Sequence, residues 1–223
     1  MATILCVETA TKNCSVALSV NGSVIALQED NPKNEGGRNF SHAEKLHQYI
    51  AKVLEVASLS KQDIDAIAVS KGPGSYTGLR IGVSSAKGLC YALGIPLISV
   101  PTLEMLARQV QDTTTVIPML DARRMEVYSA IFSSEMEQVR ETQAQILTAS
   151  SFETYLTKGP VTFIGDGVAK FKEICKHPNA VFIEESLPSA KEMAVIVEAK
   201  YKKSDTEDVA YFEPYYLKDF ISH

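Results

Sequence analysis

The sequence lacks several features that would place it in a large class of proteins at once. It has no CxxC pair and no run near the roughly 20 apolar residues that a membrane helix needs. The 22 Lys and Arg residues are outnumbered by 27 Asp and Glu, and the net charge of −5 disfavours a protein that binds nucleic acid by itself. The N-terminal stretch MATILCVETA has no basic leader or cleavage site of a signal peptide. We therefore expect a soluble, cytoplasmic protein.

Cysteine and histidine are too sparse and too widely spaced for a metal or redox site. His42 and His47 are five positions apart, which on a helix separates their side chains by roughly 140°. Metal-binding helices use a spacing of four. We therefore expect no bound metal. Three of the four cysteines lie in apolar surroundings, where reduced core thiols are expected; the four are Cys6, Cys14, Cys90 and Cys175.

The first half of the chain alternates apolar runs with turn-forming residues. Asn21-Gly22 predicts a tight hairpin, and Ser41 with Glu44 predicts a helix start through a capping box. The apolar periodicity predicts strands at 3–8, 14–20, 23–29, 64–70 and 95–100, and helices at 41–57, 75–93 and 102–110.

The second half repeats this order of elements without repeating the letters. Strands are predicted at 115–120, 125–132, 137–147, 161–165 and 180–184, and helices at 150–157, 168–176 and 189–201. The pattern predicts an α/β protein of two βββαβα lobes with helices flanking mixed sheets, as in actin, hexokinase and the Hsp70 ATPase. We place the lobes at 1–101 and 102–223, with the C-terminal tail able to pack back on the first lobe.

The stretch KGPGSYTGLRIG, residues 71–82, has the glycine content of a phosphate-binding loop but not the spacing. A P-loop requires GxxxxGK[ST], and Leu79-Arg80 stand where the lysine and hydroxyl belong. The Rossmann pattern GxGxxG fails because Thr77 occupies the third glycine position. The stretch is therefore a poor phosphate cradle.

The helix after this loop has one core face and, beside it, a face of very small side chains. An interior glycine lowers helix stability by about 0.5–1 kcal/mol relative to alanine, so a close approach of another backbone would explain the small face. From spacing alone, packing against the helix at 41–57 is favoured over docking of a second polypeptide, and both stay open. The small face comprises Gly78, Gly82, Ser85 and Ala86.

The sequence shows no clear pair of a nucleophile and a general base. Glu8 is the last residue of the first predicted strand, on which actin-like enzymes carry a magnesium-binding carboxylate. The second phosphate turn of those enzymes corresponds to MLDARRMEVY (119–128), which has Asp121 but no glycine. We expect Asp121 to be buried and to cap a turn or pair with an arginine, and Asp166 to cap the turn of IGDG.

Several segments together resemble the TsaB family, also called YeaZ. The resemblance covers roughly the whole chain and is densest over the first 132 residues, although the family's usual Asp-Thr is here Glu8-Thr9. The matching segments are ILCVETATKNCSVAL (4–18), SHAEKLHQYI (41–50), GPGSYTGLRIGVSSAKGL (72–89), VPTLEMLA (100–107), LDARRMEVYSAIF (120–132) and EPYYLK (213–218).

The resemblance implies a non-catalytic accessory subunit. Such proteins pair with the larger paralogue TsaD and, with TsaE and ATP, act in the transfer of threonylcarbamoyl to the adenosine beside the anticodon of tRNA. It implies no metal, contact with tRNA only through the complex, and a homodimer when TsaD is absent. For the small face, the resemblance favours docking of a second polypeptide over packing against the helix at 41–57. The implied interface comprises Ser41, His42, Leu46, Tyr76, Gly78, Gly82, Ser85, Ala86 and Lys87.

No cofactor is expected to be held firmly by the isolated chain, whereas ATP or ADP is compatible with the complex. Glu8, Thr9 and Arg80 are the residues that we would place nearest to such a nucleotide. The alternatives are an ATP-dependent small-molecule kinase of the actin-like fold, which predicts magnesium-dependent ATP binding by the chain alone, and a metallopeptidase, which predicts bound metal.

Overall fold

The protein is described by a computed structural model that covers residues 2–30, 42–112 and 114–218. These residues form ten strands: β1 (Thr3–Glu8), β2 (Ser15–Val20), β3 (Ser23–Glu29), β4 (Ala66–Gly72), β5 (Leu97–Pro101), β6 (Thr115–Asp121), β7 (Glu126–Phe132), β8 (Gln138–Ile146), β9 (Val161–Gly165) and β10 (Ala180–Glu184). The α-helices of the same residues are α1 (His42–Ala57), α2 (Tyr76–Leu93), α3 (Thr102–Ala107), α4 (Glu153–Leu156), α5 (Val168–Ile174) and α6 (Met193–Lys202).

The chain divides into two compact units. The first comprises Met1–Thr102 and Pro188–His223, and the second comprises Leu103–Leu187. The sequence places residues 188–218 in the second lobe, with the C-terminal tail able to pack back on the first. They lie in the first unit because α6 packs against β1, β4 and β5, and because Glu207 pairs with Leu97 at the edge of β5.

Each unit is built on a five-stranded sheet with the same order of strands. The first sheet runs β3-β2-β1-β4-β5 and the second runs β10-β9-β6-β7-β8. In each, three strands form an antiparallel meander, and the next two strands in sequence add in parallel beside the first. The predicted repeat of two βββαβα lobes is confirmed in its strand order.

One face of the first sheet is covered by α1 and α2. Their buried side chains, among them Leu46, Val53 and Val83, share a core with Leu5 and Ile67 of the sheet. Helix α6 contacts the same strands, and none of its residues belongs to this core, so it packs on the opposite face. In the second unit, the core is centred on four phenylalanine rings with centroids 4.9–6.1 Å apart: Phe152, Phe163, Phe171 and Phe182.

The local signals in the sequence explain most element boundaries. Asn21 and Gly22 have φ of +51° and +77°, as the predicted two-residue hairpin between β2 and β3 requires. The Ser75 hydroxyl caps α2 by accepting from the Gly78 amide at 3.3 Å. The predicted capping serine of α1, Ser41, lies outside the described residues. Within the described ranges, no helix is both long and apolar enough to span a bilayer.

Candidate functional site: the Gly-rich turn and the outer face of α1 and α2

The Gly-rich turn between β4 and α2 is filled by the chain itself. A side chain at Gly74 would place its Cβ 2.4 Å from the Ala10 carbonyl oxygen, and one at Gly78 would place it 2.1 Å from the Thr9 carbonyl oxygen. The Ser75 amide donates to the Ala10 carbonyl at 2.7 Å. The glycines therefore admit the turn after β1, and these amides are not open to a phosphate.

The small face of α2 is used for the same contact. A Cβ at Gly82 would lie 2.2 Å from the Thr9 hydroxyl oxygen, and that hydroxyl donates to the Gly78 carbonyl at 2.8 Å. Ala86 is fully buried in the core shared with α1. The small face therefore packs within its own unit: Thr9 of the β1–β2 turn, and not α1, approaches the two glycines, while Ala86 shares the core with α1.

Thr9 and Glu8, which the sequence placed near a nucleotide, are both fully buried. The Glu8 Oε1 atom accepts a hydrogen bond from the Ala10 amide. Burial raises the pKa of the Glu8 carboxyl from 4.5 to about 7, and the Ala10 hydrogen bond opposes this shift. These residues hold the β1–β2 turn against α2, and a carboxylate engaged in this way does not fit the role of a magnesium ligand in this unit.

Buried polar atoms with few or no hydrogen-bond partners mark the carboxyl ends of the parallel strands. They are the second carboxyl oxygen of Glu8, the Ser70 hydroxyl, whose hydrogen bonding to Glu8 opposes the rise of the Glu8 pKa, and the Thr102 hydroxyl, at or next to the ends of β1, β4 and β5. Unpaired buried polar groups are costly, and this edge is where α/β sheets bind ligands. A neutral Glu8 carboxyl can donate here, which is consistent with its raised pKa.

The second unit also has its turn amides occupied. The Arg123 amide donates to the Asp121 carboxylate at 2.6 Å, and Lys170 Nζ donates to the same oxygen at 2.8 Å. The Asp166 carboxylate accepts from the Asp121 amide at 2.9 Å. Asp121 thus caps a turn as expected, but its side chain is half exposed and pairs with a lysine rather than an arginine. The residues of this turn do not fit a phosphate cradle either.

The histidines do not form a metal site. The His42 ring nitrogen Nε2 lies 2.6 Å from the Thr11 carbonyl oxygen, which ties the start of α1 to the β1–β2 turn. His47 is exposed on the same helix. No cluster of three potential metal-binding side chains occurs among residues 2–30, 42–112 and 114–218.

Four of the nine predicted interface residues are buried by their own chain. Leu46 and Ala86 are core residues, and Gly78 and Gly82 face Thr9, so none of them offers surface to a partner. This part of the predicted interface is corrected, while Ser41 lies outside the described residues. The half-buried side chains stay candidates: His42, Tyr76, Ser85 and Lys87.

A second stripe of small residues does reach the surface of α2. Ser84, Gly88 and Ala92 are spaced by four and are all exposed. A Cβ at Gly88 would meet no atom within 4 Å, so nothing in the described chain explains a glycine in mid-helix. Arg80 and Tyr91, which is 87% exposed, lie beside this stripe. We call Ser84, Gly88 and Ala92 the outer stripe.

The sequence contained the signal for the outer stripe, since the spacing of four is visible in the letters. It was missed because Gly78 and Gly82 form an equally good stripe on another face, and spacing does not say which face the rest of the chain covers. On α1, Ala43 and Ala51 are exposed and lie about 80° apart around the helix, whereas Val56, which is 61% exposed, lies roughly 140° from both. The outer stripe of α2 is thus a surface of small groups that suits the close approach of a partner helix, whereas the exposed side of α1 also carries polar residues, among them Gln48, Lys52 and Glu55.

Comparison with known proteins agrees with this two-lobe architecture. A family model described as "TsaD: tRNA N6-adenosine threonylcarbamoyltransferase" matches residues 38–221. A relative from Escherichia coli (strain K12), named "tRNA threonylcarbamoyladenosine biosynthesis protein TsaB", is 31% identical over 98% of this chain and 96% of its own length. This chain belongs to the TsaB (YeaZ) family. A relative of the same name from Haemophilus influenzae is 26% identical over 99% of this chain and 95% of its own length.

The solved structures similar to this chain include another member of the TsaB family. YeaZ from Pseudomonas aeruginosa has a TM-score of 0.81 and 26% identity, and the match covers 97% of this chain and 100% of that one. The predicted α/β fold of two actin-like lobes is thereby confirmed.

Proposed function

We propose that this chain is a non-catalytic accessory subunit of tRNA threonylcarbamoyladenosine biosynthesis, and that it pairs with a TsaD-type sister subunit through the outer faces of α1 and α2. The observation that carries the proposal is the exposed Gly88, which lowers helix stability without any compensating contact in the described chain. A partner helix that approaches closely at the outer stripe would supply that contact.

The names of the relatives support the pathway, since they are biosynthesis proteins of the same modified nucleoside. The occupied amides of the Gly-rich turn and of the turn at 121–126 support an accessory role for this subunit. Any ATP or ADP is then bound by the assembled complex, which also includes TsaE and contacts tRNA. In the absence of TsaD the outer stripe pairs with a second copy, because such a surface is self-complementary about a two-fold axis. The complex acts in the cytoplasm.

The proposal is tested by filling the outer stripe. Gly88→Leu has open space around its Cβ, so the subunit should fold normally while the leucine keeps a partner helix away. Ala169→Leu is the matched control, because Ala169 is a small exposed residue on α5 of the second unit. Co-elution with the TsaD subunit is expected to be lost for Gly88→Leu alone, together with tRNA modification in a reconstituted reaction. A Gly88→Leu protein that still co-elutes and supports modification would contradict the assignment of the interface.

A further inference from the structure

The last described part of the chain, residues 203–218, closes the first unit along β5 and α2. The Glu207 amide donates to the Leu97 carbonyl at 2.8 Å, and the Ser99 hydroxyl donates to the Glu207 carboxylate at 2.5 Å. Further along, the Tyr215 amide donates to the Lys71 carbonyl at 2.7 Å. These bonds extend from the edge of β5 to the start of the Gly-rich turn. We call this part of the chain the closing segment.

Lys87 of α2 fixes the middle of the closing segment. Its Nζ donates to the carbonyl oxygens of Ala210 at 3.2 Å and Phe212 at 2.9 Å. Because residue 211 lies near Lys87 and residue 216 near Tyr76, the closing segment runs antiparallel to α2. Val209 and Phe212 pack against the core of the first unit. The segment is therefore anchored by its backbone and by these two apolar side chains.

The tyrosine side chains of the closing segment keep much of their surface exposed. Tyr211 is 83% exposed, Tyr215 is 44% exposed and Tyr216 is 39% exposed. The Tyr216 ring packs on Tyr76 of α2, with centroids 5.1 Å apart. Arg80 completes the group, since it donates to the Tyr76 hydroxyl at 2.6 Å and lies 5.3 Å from the centroid of that ring. Tyr216, Tyr76 and Arg80 are thus in contact, and Tyr211 and Tyr215 are exposed on the same closing segment. We call these five residues the tyrosine face.

The composition of the tyrosine face indicates a protein partner. Tyrosine and arginine are the residues most enriched at the energetic centres of protein interfaces. Arg80 forms no ion pair with a carboxylate of the described residues, and α2 carries no acidic residue between 76 and 93. A partner that presents a carboxylate to Arg80 beside an apolar hollow would complement this face. A nucleic-acid partner is disfavoured, because the chain has a net charge of −5 and Glu213 and Asp208 lie in the same segment.

The tyrosine face is continuous with the outer stripe, since Arg80 lies one helical turn before Ser84 on α2. We propose that the tyrosine face is a second docking surface for the same sister subunit, and that the closing segment supplies its aromatic anchors. This inference rests on the proposed function, because it takes the partner from there. It adds a part of the chain more than 100 residues away in sequence from α1 and α2.

The test compares variants that leave the fold intact. Tyr211→Ser with Tyr216→Ser removes two exposed rings, and Val195→Ser, which removes a 65% exposed side chain on the opposite side of the sheet, is the control. The dissociation constant for the purified TsaD subunit is measured by titration calorimetry, and thermal unfolding checks the fold. We expect the double variant to bind about 30-fold more weakly or worse, Arg80→Glu to bind more weakly than Arg80→Gln, and the control to bind normally.

Each outcome decides the matter. Unchanged affinity of the tyrosine double variant overturns the tyrosine face but leaves the outer stripe standing. If the unmodified chain fails to bind the TsaD subunit, both the proposed function and this inference are refuted. If the double variant retains its affinity for the TsaD subunit but loses binding to total tRNA, the face is a nucleic-acid surface and the proposal is wrong.

Discussion

Gly82→Ala is expected to destabilise this chain, which is the opposite of what the same change does in most helices. Gly82 lies inside α2, where alanine is normally more stable than glycine by about 0.5–1 kcal/mol. Here the new Cβ would lie 2.2 Å from the Thr9 hydroxyl oxygen, which is too short for any non-bonded contact. Something must move, and the nearest group that can move is the Thr9 side chain.

The magnitude follows from what Thr9 loses when it moves. Its hydroxyl donates to the Gly78 carbonyl at 2.8 Å in a fully buried position. Breaking that bond without replacement costs about 1–3 kcal/mol, and the extra volume in a packed site costs about 1–3 kcal/mol more. After the gain in helix propensity is subtracted, the free energy of unfolding is expected to fall by roughly 2–4 kcal/mol.

Gly88→Ala is the matched control, because it is the same substitution in the same helix with open space around the new Cβ. Its free energy of unfolding is expected to rise by about 0.5–1 kcal/mol. Urea unfolding followed by circular dichroism measures both values. Equal effects at the two positions would refute the reasoning, since only the contact with Thr9 distinguishes them.

A double-mutant cycle then tests the contact itself. In a Thr9→Ala background the clashing oxygen is gone, and the remaining distance from the new Cβ to the Thr9 Cβ is 3.4 Å. Gly82→Ala should therefore cost little in that background, and the two substitutions should couple by about 1–3 kcal/mol. Additive effects would place the origin of the destabilisation elsewhere. The cycle also separates loss of fold from loss of partner, because Gly82 is not on the surface.

Two further changes test buried charges, and one experiment tests the thiols. Because burial raises the pKa of Glu8 from 4.5 to about 7, the unfolding free energy should fall as pH rises from 5 to 8, by at most roughly 3 kcal/mol. Glu8→Gln should lack that slope in urea titrations at several pH values. Asp30→Asn should lower stability by roughly 1–3 kcal/mol, since it removes the charged acceptor of the Lys45 ammonium at 2.9 Å and of the Tyr49 hydroxyl at 2.7 Å; unchanged stability in the same assay would contradict this. The four buried thiols should react with a thiol reagent only after unfolding, and rapid reaction of the native protein would show that their burial is transient.

The order of elements could be predicted from the sequence because the local signals are strong. Alternation, the Asn21-Gly22 turn and the capping serine at Ser75 each act within a few residues, and the structure confirms the strands and helices to within a few residues at most boundaries. All four cysteines are free and buried, whereas the apolar surroundings in the sequence indicated this for three of them.

The membership of residues 188–218 in the first unit could not be predicted in the same way. It depends on contacts between distant parts of the chain, such as the pairing of Glu207 with Leu97 and the bonds from Lys87 to the closing segment. Nothing in the local pattern around residue 207 distinguishes an edge pairing from a surface loop. The resemblance of EPYYLK to the family ending identified the segment without indicating what it contacts.

The candidate site also separates what the sequence can predict from what only distant contacts decide, because α2 carries two glycine patterns that look alike in the sequence. Gly78 and Gly82 are required by the turn after β1, whose Thr9 oxygens occupy the space of both missing side chains. Gly88 faces open space, so the fold of the described chain gives no reason for it. Since a glycine in mid-helix is unfavourable in isolation, a glycine that the fold does not need points to a requirement outside the fold. That reasoning moves the partner surface from one side of α2 to the other, and it makes Gly88, rather than Gly82, the position at which pairing and folding can be separated by a single substitution.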